Sequence, residues 1–163
     1  MLGGMCPQCF APILERRITK DLRQKLTKAD QVVVVVNDGS AQGVVLEYLL
    51  RKMLEDSRRE IIIASAVGSV DFSKADKVFL STTLEEFVSG ALKSIFTTGS
   101  LDGAQGKTVE LLRETSEEEL VFLASFRKRA YRAGVSHKFM PLEDLEKKYP
   151  NSKANLAKSL SAN

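Results

Sequence analysis

The sequence has few of the residues that usually hold metal ions. Its 163 residues include two cysteines, Cys6 and Cys9 in "CPQC", and one histidine, His137. A structural zinc site normally takes four Cys or His ligands. We therefore predict that Cys6 and Cys9 are a remnant of a metal site or at most half of one, and that zinc could bind only if a partner supplied the other ligands. A redox CxxC usually opens a helix, whereas we expect this one to lie in a frayed terminus before Pro12.

Long apolar runs are also missing. No stretch approaches the roughly 18 apolar residues that span a bilayer, and the first residues lack the basic, apolar and cleavage-site pattern of a signal peptide. We therefore expect a cytoplasmic protein with no membrane partner. Hydrophobic residues make up 44% and charged residues 28% of the chain, which is typical of a folded domain and not of a disordered chain. The length favours a single domain, 1–163.

Short β-branched runs alternate with segments of helical spacing. The predicted strands are 31–36, 61–67 and 77–80, and the predicted helices are 13–28, 44–54, 84–95 after a Thr82/Glu85 capping box, 104–113, 116–132 after a Ser116/Glu119 box, and a last one on Leu156 and Leu160. This order predicts an α/β fold, a mostly parallel, Rossmann-like sheet flanked by helices. Helical segments are expected at both ends, with 1–30 and 135–163 flanking a core at 31–134.

The loop after the first predicted strand is where an open α/β sheet usually binds its ligand. It contains neither GxxxxGK[ST] nor GxGxxG, and is more similar to the S-G-G-x-D-S loop of the PP-loop superfamily. The residues laid on that pattern are Asn37, Asp38, Gly39, Ser40, Ala41 and Gln42. Asp38 places a carboxylate where a triphosphate would come close, and Ala41 removes a carboxylate that could organise magnesium. We therefore predict that the loop has lost ATP and magnesium binding.

Other stretches resemble motifs of one family. "TGSLDGAQGKTVELLR", at 98–113, is similar to the thiolase motif GHNxDDxAQTxxxNLLR, with Gly99, Asp102 and Gln105 as its candidate residues. "CPQCF" before a basic helix resembles the family's CRxCF segment, and "KKYPNSKANLAKSL" resembles its late YP-containing segment. Together these motifs resemble the PP-loop (nucleotide α-hydrolase-like) tRNA thiolation family. Within that family, the chain is most similar to the non-catalytic cytoplasmic tRNA 2-thiolation subunit two.

The resemblance implies a non-catalytic subunit that supports 2-thiolation of the wobble uridine in cytoplasmic tRNAs. Its implied partners are a catalytic thiolase subunit, tRNA and, through the complex, a ubiquitin-like sulfur carrier. No cofactor is expected, and zinc is expected only with ligands from a partner. The cations predicted to contact tRNA are Arg16, Arg17, Lys20, Arg23, Arg127, Lys128, Arg129 and Arg132. Tyr131 and Phe126 could stack on a base, although aromatic residues on a helix more often belong to the core.

Two other hypotheses remain open from the sequence. The chain could itself be a divergent ATP-dependent tRNA thiolase, which would require Gly39, Ser40 and the region of Asp102 to bind adenylate. It could also be a flavodoxin-like or stress-protein-like module that binds a nucleotide or a protein. Turnover of ATP to AMP by the isolated chain would favour the first hypothesis, and tight tRNA binding would count against the second.

Overall fold

The computed structural model describes residues 5–89, 107–112, 114–132 and 146–161. The elements with both ends in these ranges are α1 (Pro7–Lys25), β1 (Val32–Val36), α2 (Ala41–Leu54), β2 (Glu60–Ala64), β3 (Lys77–Leu80), β4 (Thr108–Glu110), α3 (Glu117–Phe126) and α4 (Ser152–Ser161). Residues 84–89 are also helical, and a short 3-10 turn spans Val67–Ser69. Among the described helices, none combines the length and the apolar character needed to cross a membrane.

The strands form one parallel sheet in the order β2-β1-β3-β4. Val34 in β1 pairs with Ile62 of β2 on one side and with Val78 of β3 on the other. After β2 the chain crosses to the opposite side of β1, so the order of strands reverses next to β1. In open α/β sheets this reversal opens a crevice at the carboxyl ends of the strands.

The valine side chains of β1 pack against other residues on both faces of the sheet. Val33 and Val35 are fully buried in the larger core, which the helices α1, α2 and α3 share. Val34 and Val36 point to the other face and pack in a smaller cluster that includes Val78. Successive side chains of a strand point to opposite faces. A strand without polar alternation is therefore stable only in the middle of a covered sheet, and β1 lies there.

Three helices cover one face of the sheet through leucine-rich stripes. The stripe of α1 has four-residue spacing, which keeps its side chains on one side of the helix. The buried leucine and isoleucine residues of these helices are Leu14, Ile18, Leu22, Leu46, Leu49, Leu50, Leu54, Leu120 and Leu123. Full burial of one such side chain stabilises the fold by roughly 1.5–3 kcal/mol. This packing fixes α1 beside α2, and that pairing forms the groove described below.

Two boundaries differ from the sequence prediction at the amino-terminal half. α1 begins at Pro7, well before the predicted start at residue 13, and Pro12 lies inside it. Proline is favourable at the first helical position, because its missing N–H has no partner there in any case, and this explains the early start at Pro7. The predicted Thr82/Glu85 capping box is shifted by one residue, since Thr83 and Glu86 exchange hydrogen bonds of 3.0 and 3.2 Å.

The predicted secondary structure differs more from the observed one in the carboxyl-terminal half of the chain. The helix predicted over 104–113 is wrong in its described part, because Thr108–Glu110 form β4 and Val109 pairs with Phe79, whereas 104–106 and 113 lie outside the described residues. α3 ends at Phe126 and not at Arg132. Its start is confirmed, since the Ser116 hydroxyl accepts from the Glu119 N–H and the Glu119 carboxylate accepts from the Ser116 N–H.

Candidate functional site at the carboxyl end of the first strand

The loop that joins β1 to α2 lies at the reversal of strand order, and its amides bond to its own side chains. The Asn37 Oδ1 accepts from the Gly39 N–H at 2.9 Å. The Asp38 Oδ1 accepts from the Ser40 N–H at 2.9 Å, and the Ser40 hydroxyl caps α2 by accepting from the Gly43 N–H at 3.2 Å. Gly39 has a φ of +86°, a conformation that favours glycine. Side chains of the loop therefore accept the hydrogen bonds of the nearby backbone N–H groups.

Gly43 allows α2 to begin close to this loop. A β-carbon at Gly43 would lie 2.7 Å from the Asn37 Oδ1 and 3.1 Å from the Asn37 Cα. Asn37 cannot move away freely, because its Nδ2 donates to the Glu47 Oε2 at 2.6 Å. Burial works to raise the pKa of Glu47, but hydrogen bonds from Arg51 and Asn37 outweigh it and hold that pKa below its ordinary value. Asn37 is thus held by an ionised partner.

Asp38 and Arg132 place opposite charges at the loop. Burial works to raise the pKa of Asp38, but hydrogen bonds from Ser40 and the positive charge of Arg132 hold it below its ordinary value. The Arg132 N–H donates to the Gly39 carbonyl at 2.7 Å, and a β-carbon added at Gly39 would lie 3.5 Å from the Arg132 Cδ. A phosphate entering the loop would therefore meet an ionised carboxylate.

A groove lined by cations lies between α1 and α2, with a volume of about 700 Å³. We call it the basic groove and define it by Arg16, Lys20, Arg23, Lys52 and Arg127. The first three come from α1, Lys52 comes from α2, and Arg127 directly follows α3. The groove thus brings together two of the clusters of basic residues that are far apart in the sequence.

One carboxylate lies within the basic groove and ties its walls together. Glu15 is 7% exposed, and it accepts from the Lys52 Nζ at 3.0 Å and from the Arg127 Nε. Burial works to raise the pKa of Glu15, but the hydrogen bonds from Arg127 and Lys52 outweigh it and hold the pKa below its ordinary value. The ionised Glu15 therefore links α1, α2 and the end of α3.

A second groove, of about 630 Å³, continues from the basic groove towards the loop. We call it the Tyr48 groove. Lys52 lines both grooves, and Asn37 lines the far end of the second one. The Arg129 guanidinium lies 4.7 Å from the centroid of the Tyr48 ring, and the Lys52 ammonium lies 5.7 Å from it. Glu47 and Glu55 also line this groove. A continuous path therefore leads from α1 to the loop after β1, and its excess of positive charge lies mainly in the basic groove.

The structure brings together some of the cations predicted to contact RNA and places the others elsewhere. Arg16, Lys20, Arg23 and Arg127 line the basic groove, and Arg129 lines the Tyr48 groove. Three predicted cations lie outside both grooves. Arg17 pairs with Glu119 at 2.6 Å, Arg132 contacts the loop, and Lys128 is exposed with a φ of +53°.

The two aromatic residues considered as base-stacking candidates pack against the core. Phe126 stacks on Phe122 with ring centroids 5.7 Å apart, and Tyr131 packs on the larger core with its hydroxyl 3.2 Å from the Ser125 hydroxyl. Tyr48 is the aromatic residue that lines a groove, and the sequence did not single it out. Lys52 and Glu15 were missed as well, because their partners come from other elements.

Cys6 and Cys9 open α1, so the expectation of a frayed terminus is wrong. Cys6 is the N-cap residue, and its carbonyl accepts from the N–H groups of Cys9 and Phe10 at 3.1 and 2.9 Å. Both thiols are exposed. A hydrogen bond between the two thiols lowers the pKa of Cys6 and raises that of Cys9. Within the described residues, no group of three or more Cys, His, Asp or Glu side chains is placed to hold a metal ion.

The second motif, predicted at 98–113, can be placed only in part. Gly99, Asp102 and Gln105 lie outside the described residues. The described part of the motif forms β4, and Leu111 and Leu112 after it are buried in the larger core. These two leucines therefore pack the sheet against the helices.

No protein-family model matches the sequence, and no curated protein matches it. A solved structure does match, namely the U34-tRNA thiolase NcsA from Methanococcus maripaludis with its [4Fe-4S] cluster. The match covers 96% of this chain and 79% of the NcsA chain, with a TM-score of 0.66 and 16% sequence identity. The chain has the fold of a tRNA thiolase. The predicted α/β, Rossmann-like fold with a parallel sheet between helices is confirmed, and at this identity the likeness concerns the fold alone.

The comparison corrects one expectation, that this chain has no cofactor. The matched thiolase carries a [4Fe-4S] cluster. The expectation was wrong because it came from the loop residues and from zinc ligand counts, which say nothing about iron–sulfur binding. A [4Fe-4S] cluster is usually held by four Cys thiolates, and this chain contains two, Cys6 and Cys9. Its own cysteines therefore do not form a complete set of cluster ligands.

Proposed function

We propose that the chain is a non-catalytic subunit in the 2-thiolation of the wobble uridine of cytoplasmic tRNAs. In this proposal an active thiolase subunit adenylates the uridine and delivers the sulfur, and this chain forms part of the tRNA-binding surface. The thiolase-like fold over 96% of the chain supports a role in the same process. The resemblance of "CPQCF" and "KKYPNSKANLAKSL" to thiolation-family segments supports it independently of the fold.

The loop after β1 carries the non-catalytic part of the proposal. The amides of Gly39 and Ser40 bond to Asn37 and Asp38 instead of being left for a phosphate. An ionised Asp38 repels a triphosphate, and Ala41 offers no carboxylate for magnesium. A subunit with this loop needs a partner to activate the uridine, which is why we propose a heterodimer with a catalytic thiolase.

The two grooves support the tRNA-binding part of the proposal. Contacts from cations to the phosphate backbone position an RNA without reading its sequence. A non-catalytic subunit needs positioning of this kind, since the chemistry occurs on its partner. A ubiquitin-like sulfur carrier would reach the complex through the catalytic subunit, and all of these partners belong in the cytoplasm.

Mass spectrometry of tRNA nucleosides tests the proposed function. We expect cells depleted of this protein to lose the 2-thio wobble nucleoside and to regain it when the protein is re-expressed. Pseudouridine from the same tRNA preparation serves as the internal control, and its level should not change. A 2-thio nucleoside that stays at its normal level after depletion would contradict the proposal.

A further inference from the structure

The cations of α1 form a regular row along one wall of the basic groove. Arg16, Lys20 and Arg23 are spaced four and three residues apart, so they share one side of the helix. With a rise of 1.5 Å per residue they advance by roughly 6 and 4.5 Å along its axis. All three are exposed, and within the described part of the chain none of them forms an ion pair. Their charges are thus available to a ligand.

The opposite wall adds cations that are fixed in position. Lys52 and Arg127 are held by Glu15, and both keep a partly exposed side chain, 55% for Lys52 and 31% for Arg127. Glu15 balances only one of the positive charges around the groove. The basic groove therefore keeps a strong excess of positive charge on two facing walls, which attracts a ligand with several negative charges.

We propose that the basic groove binds the phosphate backbone of a single-stranded RNA segment, an inference that rests on the proposed function. The row on α1 matches a ligand with regularly spaced negative charges, as the phosphates of one strand provide. The groove between α1 and α2 has a volume of about 700 Å³, which has room for a short stretch of one strand and not for a duplex. Recognition of this kind depends on charge and not on base sequence.

The Tyr48 groove gives the bound strand a direction. A strand that leaves the basic groove past Lys52 enters the Tyr48 groove, where Tyr48 and Arg129 offer planar groups on which bases stack. The far end of this groove is Asn37, in the loop at the reversal of strand order. The RNA segment thus runs from α1 towards the position that holds the reacting nucleotide in an open α/β enzyme.

A pair of charge-matched variants tests the groove. Arg16→Gln with Lys20→Gln removes two cations from the groove wall, whereas Arg58→Gln with Lys158→Gln removes two exposed cations that do not line the groove. Binding of a labelled oligouridine is measured by fluorescence anisotropy over a range of salt concentrations, with circular dichroism as the check of folding. We expect the groove variant to lose affinity about tenfold or more at low salt. The slope of log K against log salt should fall by about 1.4, as expected for two lost phosphate contacts in a single strand.

The control variant should keep most of its affinity, because its charges act on the RNA only from a distance. Equal losses of oligouridine affinity in the two variants would overturn the inference. They would show that the RNA is attracted by the net charge of the protein and not bound at a particular site. Stronger binding of an RNA duplex than of oligouridine would overturn it too. The inference would also be overturned if the protein bound a poly-glutamate peptide through the groove but did not bind oligouridine. The groove would then be a site for an acidic protein.

The same variants separate this inference from the proposed function. If depleted cells keep their 2-thio nucleoside but the groove variant still loses oligouridine binding, the proposed function fails and the RNA groove stands. If re-expression of the wild type restores the nucleoside but the groove variant binds oligouridine as tightly as the wild type, the groove inference fails alone.

Discussion

Gly43 is the residue at which the packing of the loop can be tested most sharply. In Gly43→Ala the new β-carbon would lie 2.7 Å from the Asn37 Oδ1 and 3.2 Å from the Asp38 Oδ1. Contacts below 3.0 Å force a shift, and the contact at 3.1 Å with the Asn37 Cα means that rotating the side chain is not enough. Asn37 must therefore move together with its backbone.

Opposing effects determine how much Gly43→Ala changes the free energy of unfolding. Alanine is more favourable than glycine in a helix by about 1 kcal/mol. Against this, overpacking costs about 1–3 kcal/mol, and displacement of Asn37 weakens its hydrogen bonds to Gly39 and to the ionised Glu47, which contribute roughly 1 and 1.5–3 kcal/mol. We expect Gly43→Ala to lower the free energy of unfolding by about 2 kcal/mol.

Urea denaturation followed by circular dichroism measures this change, and Gly68→Ala is the matched control. A β-carbon at Gly68 would meet nothing within 4 Å, so this substitution should be neutral or stabilise by about 0.4–1 kcal/mol through the unfolded state. A Gly43→Ala protein as stable as the Gly68→Ala protein would refute the close packing of α2 on the loop.

Two further changes probe carboxylates with shifted pKa values. Glu15→Gln should lower stability by roughly 1–3 kcal/mol at neutral pH. Because the pKa of Glu15 is depressed, the loss should shrink as the pH falls below 4.5, and a pH-independent loss in urea melts would contradict the ion bridge. Glu85→Gln should instead raise stability at neutral pH, since burial raises the pKa of Glu85 and its ionised form destabilises the fold as the pH rises through that pKa. A Glu85→Gln protein that melts at the same temperature as the wild type at neutral pH, or at a lower one, would refute this prediction.

Elements with a strong local signal could be predicted from the sequence. The valine run of β1 has no polar alternation, which indicates a strand covered on both faces, and Val33 to Val36 are buried. Ser116 and Glu119 form the capping box that their spacing predicts. β4 was predicted as a helix because the residues on both sides of Thr108–Glu110 have helical spacing, and only pairing with β3 makes this short segment a strand.

The candidate site depends mostly on contacts between distant parts of the chain. The sequence shows that Arg16 and Arg127 belong to basic clusters, but it cannot show that Glu15 brings α1 and the end of α3 together over 112 positions. Tyr48 and Lys52 share one side of α2 by their spacing, yet Arg129 must fold back over that side before they form a groove. For the same reason, the pairing of Arg17 with Glu119 could not be foreseen.

The central claim is that the loop after β1 does not support ATP chemistry. The most direct measurement is incubation of the isolated protein with MgATP, with and without tRNA, followed by chromatography of the nucleotides. Our account predicts no AMP or pyrophosphate above a blank without protein, because Asn37 and Asp38 accept from the loop amides of Gly39 and Ser40, and the ionised Asp38 repels the triphosphate. Magnesium-dependent formation of AMP by this chain alone would contradict the account and would favour a divergent catalytic thiolase.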